Sequence, residues 1–96
     1  MKYSDKNKPL CCMQTNSTCY KGTSIMTIKG VLWHSTGADN NSLKRYVQPS
    51  DNAPDRDKWL ELLGKNNNRN DWNHIDIDAG LNCWIGELAD GTVTTV

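Results

Sequence analysis

Phenylalanine is absent from the 96 residues, proline occurs three times, and net charge is zero, with 11 Lys and Arg against 11 Asp and Glu. The missing charge bias, with Lys and Arg dispersed, removes the general electrostatic ground for a nucleic-acid or membrane-surface binder. No apolar run approaches the roughly 20 residues that span a bilayer. Met1 to Leu10 is too polar for the apolar core of a secretory signal, so the reading is of a soluble chain without one. No Cys-x-x-Cys occurs among the four cysteines, which leaves a zinc ribbon or a thioredoxin-like site unsupported.

What is present fits one domain, because a second core could not be closed from what remains of this length. Hydrophobic residues make up 36% and mean hydropathy is −0.71, polar for a globular chain. Four tryptophans and regular apolar clusters nevertheless argue for a packed core rather than disorder. Cys11, Cys12, Cys19 and Cys83 are read as free thiols, since nothing places the chain in an oxidising compartment. For the same reason the Asn-x-Ser/Thr sites at Asn16 and Asn40 are read as chance.

Residues 1–24 show no periodicity and read as an arm or lead-in; the domain proper is expected over 25–96. Ile25–Ile28 and Val31–His34 are β-rich runs interrupted at Gly30, ending at Ser35-Thr36-Gly37. Asn40 or Asn41 is expected to cap a short helix bearing Leu43, Tyr46 and Val47 on one face, stopped by Pro49. A second helix is expected from Pro54 and Asp55 through an apolar stripe of Trp59, Leu60, Leu62 and Leu63 to a Gly64 cap. After an Asn-rich loop, Leu81–Leu88 and Thr92–Val96 read as strands joined by a turn at Ala89-Asp90-Gly91. A hairpin with no following element to cover it exposes a sheet edge, so the reading expects the first part of something longer.

The candidate site is Gly30-Val31-Leu32-Trp33-His34-Ser35-Thr36-Gly37. A histidine at the C-terminal end of a buried strand, followed by small polar residues, stands where α/β folds place metal ligands and catalytic groups. The plainer alternative is a histidine satisfying a hydrogen bond at a sheet end. His74 is the only other histidine; were its segment extended, it would share a face with Asp76 and Asp78. The alternative there is a solvated polar face. Asp76 stands where a calcium loop starting at Asp71 requires Gly, and Gly64-Lys65 lacks the upstream Gly of a phosphate loop. Cys83 has no adjacent base in sequence and reads as a buried thiol rather than a nucleophile.

Gly30 to Gly37, then Leu43-Lys44-Arg45-Tyr46-Val47-Gln48-Pro49, then Ile85-Gly86-Glu87-Leu88-Ala89-Asp90-Gly91-Thr92-Val93 resemble the N-terminal half of a zinc-dependent N-acetylmuramoyl-L-alanine amidase. The likeness is to the type-2 amidase domain of phage and prophage endolysins and covers about residues 25–96. It implies an α/β fold, here a partial type-2 amidase fold with a mixed central sheet and flanking helices. It implies peptidoglycan hydrolysis at the amide between N-acetylmuramic acid and L-Ala, with a Zn2+ ion that polarises the carbonyl and activates water. His34 corresponds to the family's first zinc ligand, and Ser35 and Thr36 are candidates for orienting substrate or supporting the ligand loop, with plain turn chemistry as the favoured alternative. The family's second histidine and its Cys or Asp ligand follow the hairpin by many tens of residues, so the site is incomplete here; His74 is the one alternative second ligand. No catalytic residue is assigned, because Asn82-Cys83-Trp84 lacks the Tyr or Glu that helps in many relatives.

The resemblance thus implies bacterial peptidoglycan as partner, a bacterial cytoplasmic location, and access to the wall on lysis. Two readings compete with it. One is a non-catalytic wall-binding prophage remnant. The other is a small metal- or partner-binding domain whose strand edge pairs with a missing C-terminal half or a second chain.

Overall fold

The computed structural model describes residues 10–12, 14–16, 25, 27–37, 39–77 and 81–96. Among the described residues the helical and strand elements begin at Leu43. A single 3₁₀ turn, Leu43–Arg45, is followed by helix α1, Arg56–Leu63, and by strands β1, Ile85–Glu87, and β2, Val93–Thr95. The content is mixed α and β, as expected.

The helix expected after Asn40 shrinks to that 3₁₀ turn. Asn40 does not cap it; its Oδ1 accepts from the Ser42 N–H at 3.0 Å, closing a two-residue turn instead. The face it was expected to present survives, because Leu43, Tyr46 and Val47 are all buried. Helix α1 forms where the apolar stripe placed it. Asp55, at its N-cap, makes no cap bond; its Oδ2 accepts from the Trp59 indole N–H at 2.8 Å and holds that ring inward. Gly64 ends the helix at φ 87°, a left-handed conformation that side chains rarely adopt, and its N–H reaches the Leu60 carbonyl.

The two strands pair antiparallel with Ile85 opposite Thr95 and Glu87 opposite Val93. Trp84 and Val96 exchange two further backbone bonds beyond the strand ends. The turn is closed by Leu88 N–H to Thr92 O, with Gly91 at φ 83° and Asp90 Oδ1 accepting from Thr92 N–H. Its tip is tied to the end of α1 through Ala89 N–H to Leu62 O at 3.0 Å. On its other side β1 meets the incoming chain: Ser42 forms a parallel bridge with Glu87, whose N–H donates to Asn41 O.

Leu43, Tyr46, Val47, Trp59, Leu63 and Leu88 form the core, with Leu10, Cys12, Leu62, Trp72, Trp84 and Val96 packed against it. Three tryptophans take the part phenylalanine would have played. Trp84 stacks on Tyr46 at 4.8 Å, and Trp72 meets Trp84 edge-on at 5.0 Å. Trp33 stays exposed. The Tyr46 hydroxyl is buried and finds no hydrogen-bond partner among the described residues.

One expected element is not formed. Residues 27–37 run without strand pairing among the described residues, and Ile25, Ile28, Val31, Leu32 and Trp33 are each at least 74% exposed. A strand exists only when a neighbour accepts its ladder, and no such ladder reaches this run among the described residues. The β-rich composition therefore marks a segment suited to pairing, not one that is paired. The described pieces of the lead-in, by contrast, are docked: Thr15 and Ser50 hydroxyls meet at 2.5 Å, and Asn16 bonds twice to Asn73.

Candidate functional site

His34, Ser35 and Thr36 sit in that run, and all three are exposed. The buried strand end expected for His34 is therefore not observed. Among the described residues, no group of three or more His, Cys, Asp or Glu could hold a metal ion. A catalytic zinc takes about three protein ligands and an open position. The described donor set does not supply them. Asp78, part of the face drawn with His74, lies outside the described residues, as do Cys19 and most of the lead-in.

His74 is not on an extended face. Residues 71–75 form a turn, with His74 and Ile75 N–H both donating to Asp71 O at 3.1 Å. Nor is the histidine solvated: its side chain is 8% exposed. Its Nδ1 lies 2.9 and 2.8 Å from the two oxygens of Asp71, and its Nε2 lies 3.1 Å from Asp51 Oδ1. Each ring nitrogen thus faces a carboxylate oxygen, so coordinating a metal through Nε2 requires breaking the Asp51 contact.

Around this ring the network closes. Asp71 is fully buried and also accepts from the Asn73 N–H at 3.1 Å. Asp51 receives both terminal nitrogens of Arg69, at 3.0 and 2.9 Å. Arg69 holds φ 50°, a left-handed backbone that costs a non-glycine residue about 1 kcal/mol. The two-pronged pair offsets that strain by fixing the Asn-rich loop against the Asp51 segment. The Arg69 hydrogen bonds, and secondarily those of His74, hold the Asp51 carboxyl down at about 2 rather than its ordinary 3.8. An unfolded Asp51 takes up its proton first as pH falls. The contribution is therefore full above pH 3.8 and lost toward pH 2, and on an exposed group it is small.

Asp51, Arg69 and Asp71 did not emerge from the sequence as site residues. The Asp71-x-x-His74 spacing was the available signal for one contact, because i and i+3 meet in a turn. Asp51 and His74 are 23 positions apart, and only the fold brings them together.

The cysteines divide. Cys11, Cys12 and Cys83 are in no disulfide, and Cys83 is exposed, where burial was expected. Strand alternation explains this, since Cys83 shares its outward face with the half-exposed Ile85. Cys12 borders an apolar cleft of about 320 Å³ between Pro49, Pro54 and Trp59. Burial, reinforced by Asp55, pushes its thiol up from 9.0 to about 12. The unfolded thiol ionises first as pH rises, so this contribution is full below pH 9 and declines toward pH 12. Iodoacetamide at pH 8 is expected to label Cys83 more than about tenfold faster than Cys12, because the thiolate is the nucleophile. Equal rates, read by peptide mass mapping, would show that Cys12 is not buried in solution.

Among known proteins, no family model, no curated protein and no solved structure matches this chain. No helix among the described residues is long and apolar enough to cross a membrane.

Proposed function

We propose that this chain is part of a zinc-dependent N-acetylmuramoyl-L-alanine amidase of the type-2 kind, directed at bacterial peptidoglycan. On this reading His34 supplies one metal ligand, and the 96 residues by themselves do not cut. The observation that carries it is the occurrence, in one sequence, of Trp33-His34-Ser35-Thr36-Gly37 and of Ile85-Gly86-Glu87-Leu88-Ala89-Asp90-Gly91-Thr92-Val93. Two structural facts support it. The second segment folds as a strand–turn–strand in register. The run that ends at His34 carries large apolar side chains that nothing described covers, as an inner strand awaiting neighbours would. Those same side chains favour a second reading, a non-catalytic protein that binds the wall or a partner through this segment.

The test measures zinc content and action on purified sacculi for the full chain and for His34→Ala. Co-sedimentation with sacculi, zinc well below one per chain and no release of stem peptides are the expected results. Zinc at one per chain, lost in His34→Ala and accompanied by stem-peptide release, would show the site complete and overturn the predicted inactivity. Failure to co-sediment would overturn peptidoglycan as the target.

A further inference from the structure

A second cleft, of about 220 Å³, opens between the start of α1, the Gln48–Asp51 segment and the Asn-rich loop. Its walls carry four basic side chains, Arg56, Lys65, Arg69 and His74, against a single carboxylate, Asp51. In a chain whose charges sum to zero, that is a local excess of positive charge. The carboxylate is already committed, since both its oxygens accept from Arg69 and one also faces His74. His74 is committed on its other side to Asp71.

Two cations are left over. Arg56 reaches only Asp57 among the described residues, at 3.8 Å, and that carboxylate is fully solvated. Lys65 forms no ion pair among them. Arg69 spends two of its five N–H donors on Asp51, leaving three. The polar amides beside it are set by the fold: Gln48 Nε2 donates to Gly64 O and its Oε1 accepts from Asn66 N–H. This fixes the loop that presents Lys65 and Arg69, so the basic groups face the cleft from a held backbone.

We propose that this cleft binds a small oxyanion, a phosphate or carboxylate group, through Arg56, Lys65 and the spare donors of Arg69. A guanidinium pair plus an ammonium suits such a ligand, because the planar forks match two oxygens while the lysine adds a point charge. The cleft is open to water, so the binding is weak, on the order of millimolar, and falls with added salt. Neither His34 nor the hairpin lines it, and the proposal stands or falls apart from the amidase reading.

The experiment follows backbone amide resonances of the full 96-residue chain at low ionic strength, with inorganic phosphate, acetate or chloride added at matched ionic strength. Saturable shifts confined to Arg56, residues 65–69 and His74 are expected with phosphate or acetate but not with chloride. The oxyanion that saturates at lower concentration identifies the source chemistry. Arg56→Gln with Lys65→Gln alters two side chains that bond little else and is expected to weaken the affinity at least fivefold. Lys29→Gln, in the exposed 27–37 run, leaves it unchanged. Shifts that stay linear, scatter over the chain, appear equally with chloride, or persist at full affinity in the double variant overturn the site.

Discussion

Asp71→Ala is expected to destabilise the folded chain by about 3 kcal/mol, the size seen when one member of a buried polar pair is removed. Small domains hold only about 5–15 kcal/mol in total, so the loss is a large fraction of what is there. Asp71 is 0% exposed and makes three contacts at once, two to the His74 ring and one to the Asn73 N–H. Alanine leaves that N–H buried without its acceptor and the His74 Nδ1 without its partner. Asn73 then loses its anchor, and it is Asn73 that receives Asn16 and donates to Ser50 Oγ and Gln48 O. The damage should spread to the docked lead-in. Urea unfolding followed by tryptophan fluorescence measures it, and His74→Ala in the same background separates pair from context. A coupling of about 1–3 kcal/mol between the two sites is expected from a direct buried contact. Additive losses would mean that the ring and the carboxylate do not meet in solution.

The contrast between what the sequence foretold and what it did not follows from how far each signal reaches along the chain. Trp59 and Leu63 lie one turn apart, Gly64 ends the stripe, and Asp90-Gly91 marks a turn; each is decided by neighbours within five positions. The helix and the turn came out as expected, while the strands read over Leu81–Leu88 and Thr92–Val96 are formed only at Ile85–Glu87 and Val93–Thr95. The 3₁₀ turn at Leu43 kept its buried face but not its length, because Asn40 bonds locally and Pro49 follows closely. Val31–His34 reads as a strand by composition, yet pairing is a property of two segments, and no described residue pairs with it. His74 shows the same limit from the other side. Its buried ring meets Asp51, 23 residues earlier, a contact that no spacing within its own segment announces. Cys83 is exposed where burial was expected from its type, while Cys12 is partly buried at the edge of a cleft; the side of the strand and the neighbouring chain decide each. His34 was singled out by its place at the end of a β-rich run and by the resemblance, and the structure leaves that run exposed.

Gly86→Ala carries the second large expectation, a loss of about 1–3 kcal/mol from overpacking, with Gly86→Val at or above the top of that range. A Cβ placed on Gly86 would lie 2.8 Å from Asn41 O and 3.1 Å from Leu43 Cγ and Cδ2. The carbonyl cannot retreat freely, because it accepts the Glu87 N–H at 2.8 Å, the contact that seats the incoming chain on β1. Leu43 cannot retreat either, being 2% exposed in the core. Valine normally favours a strand, so a larger loss with valine than with alanine points to the clash rather than to backbone propensity. Gly30→Ala is the control: nothing lies within 4 Å of its Cβ position, and a change within about 0.5 kcal/mol is expected. Urea midpoints with unchanged slopes read all three. A Gly86→Ala chain as stable as the parent would mean that Asn41–Leu43 does not lie against β1. That junction is also what ties the run carrying His34 to the hairpin. Its loss should therefore abolish any binding to peptidoglycan that needs both, while leaving anion binding at Arg56 and Lys65 in place.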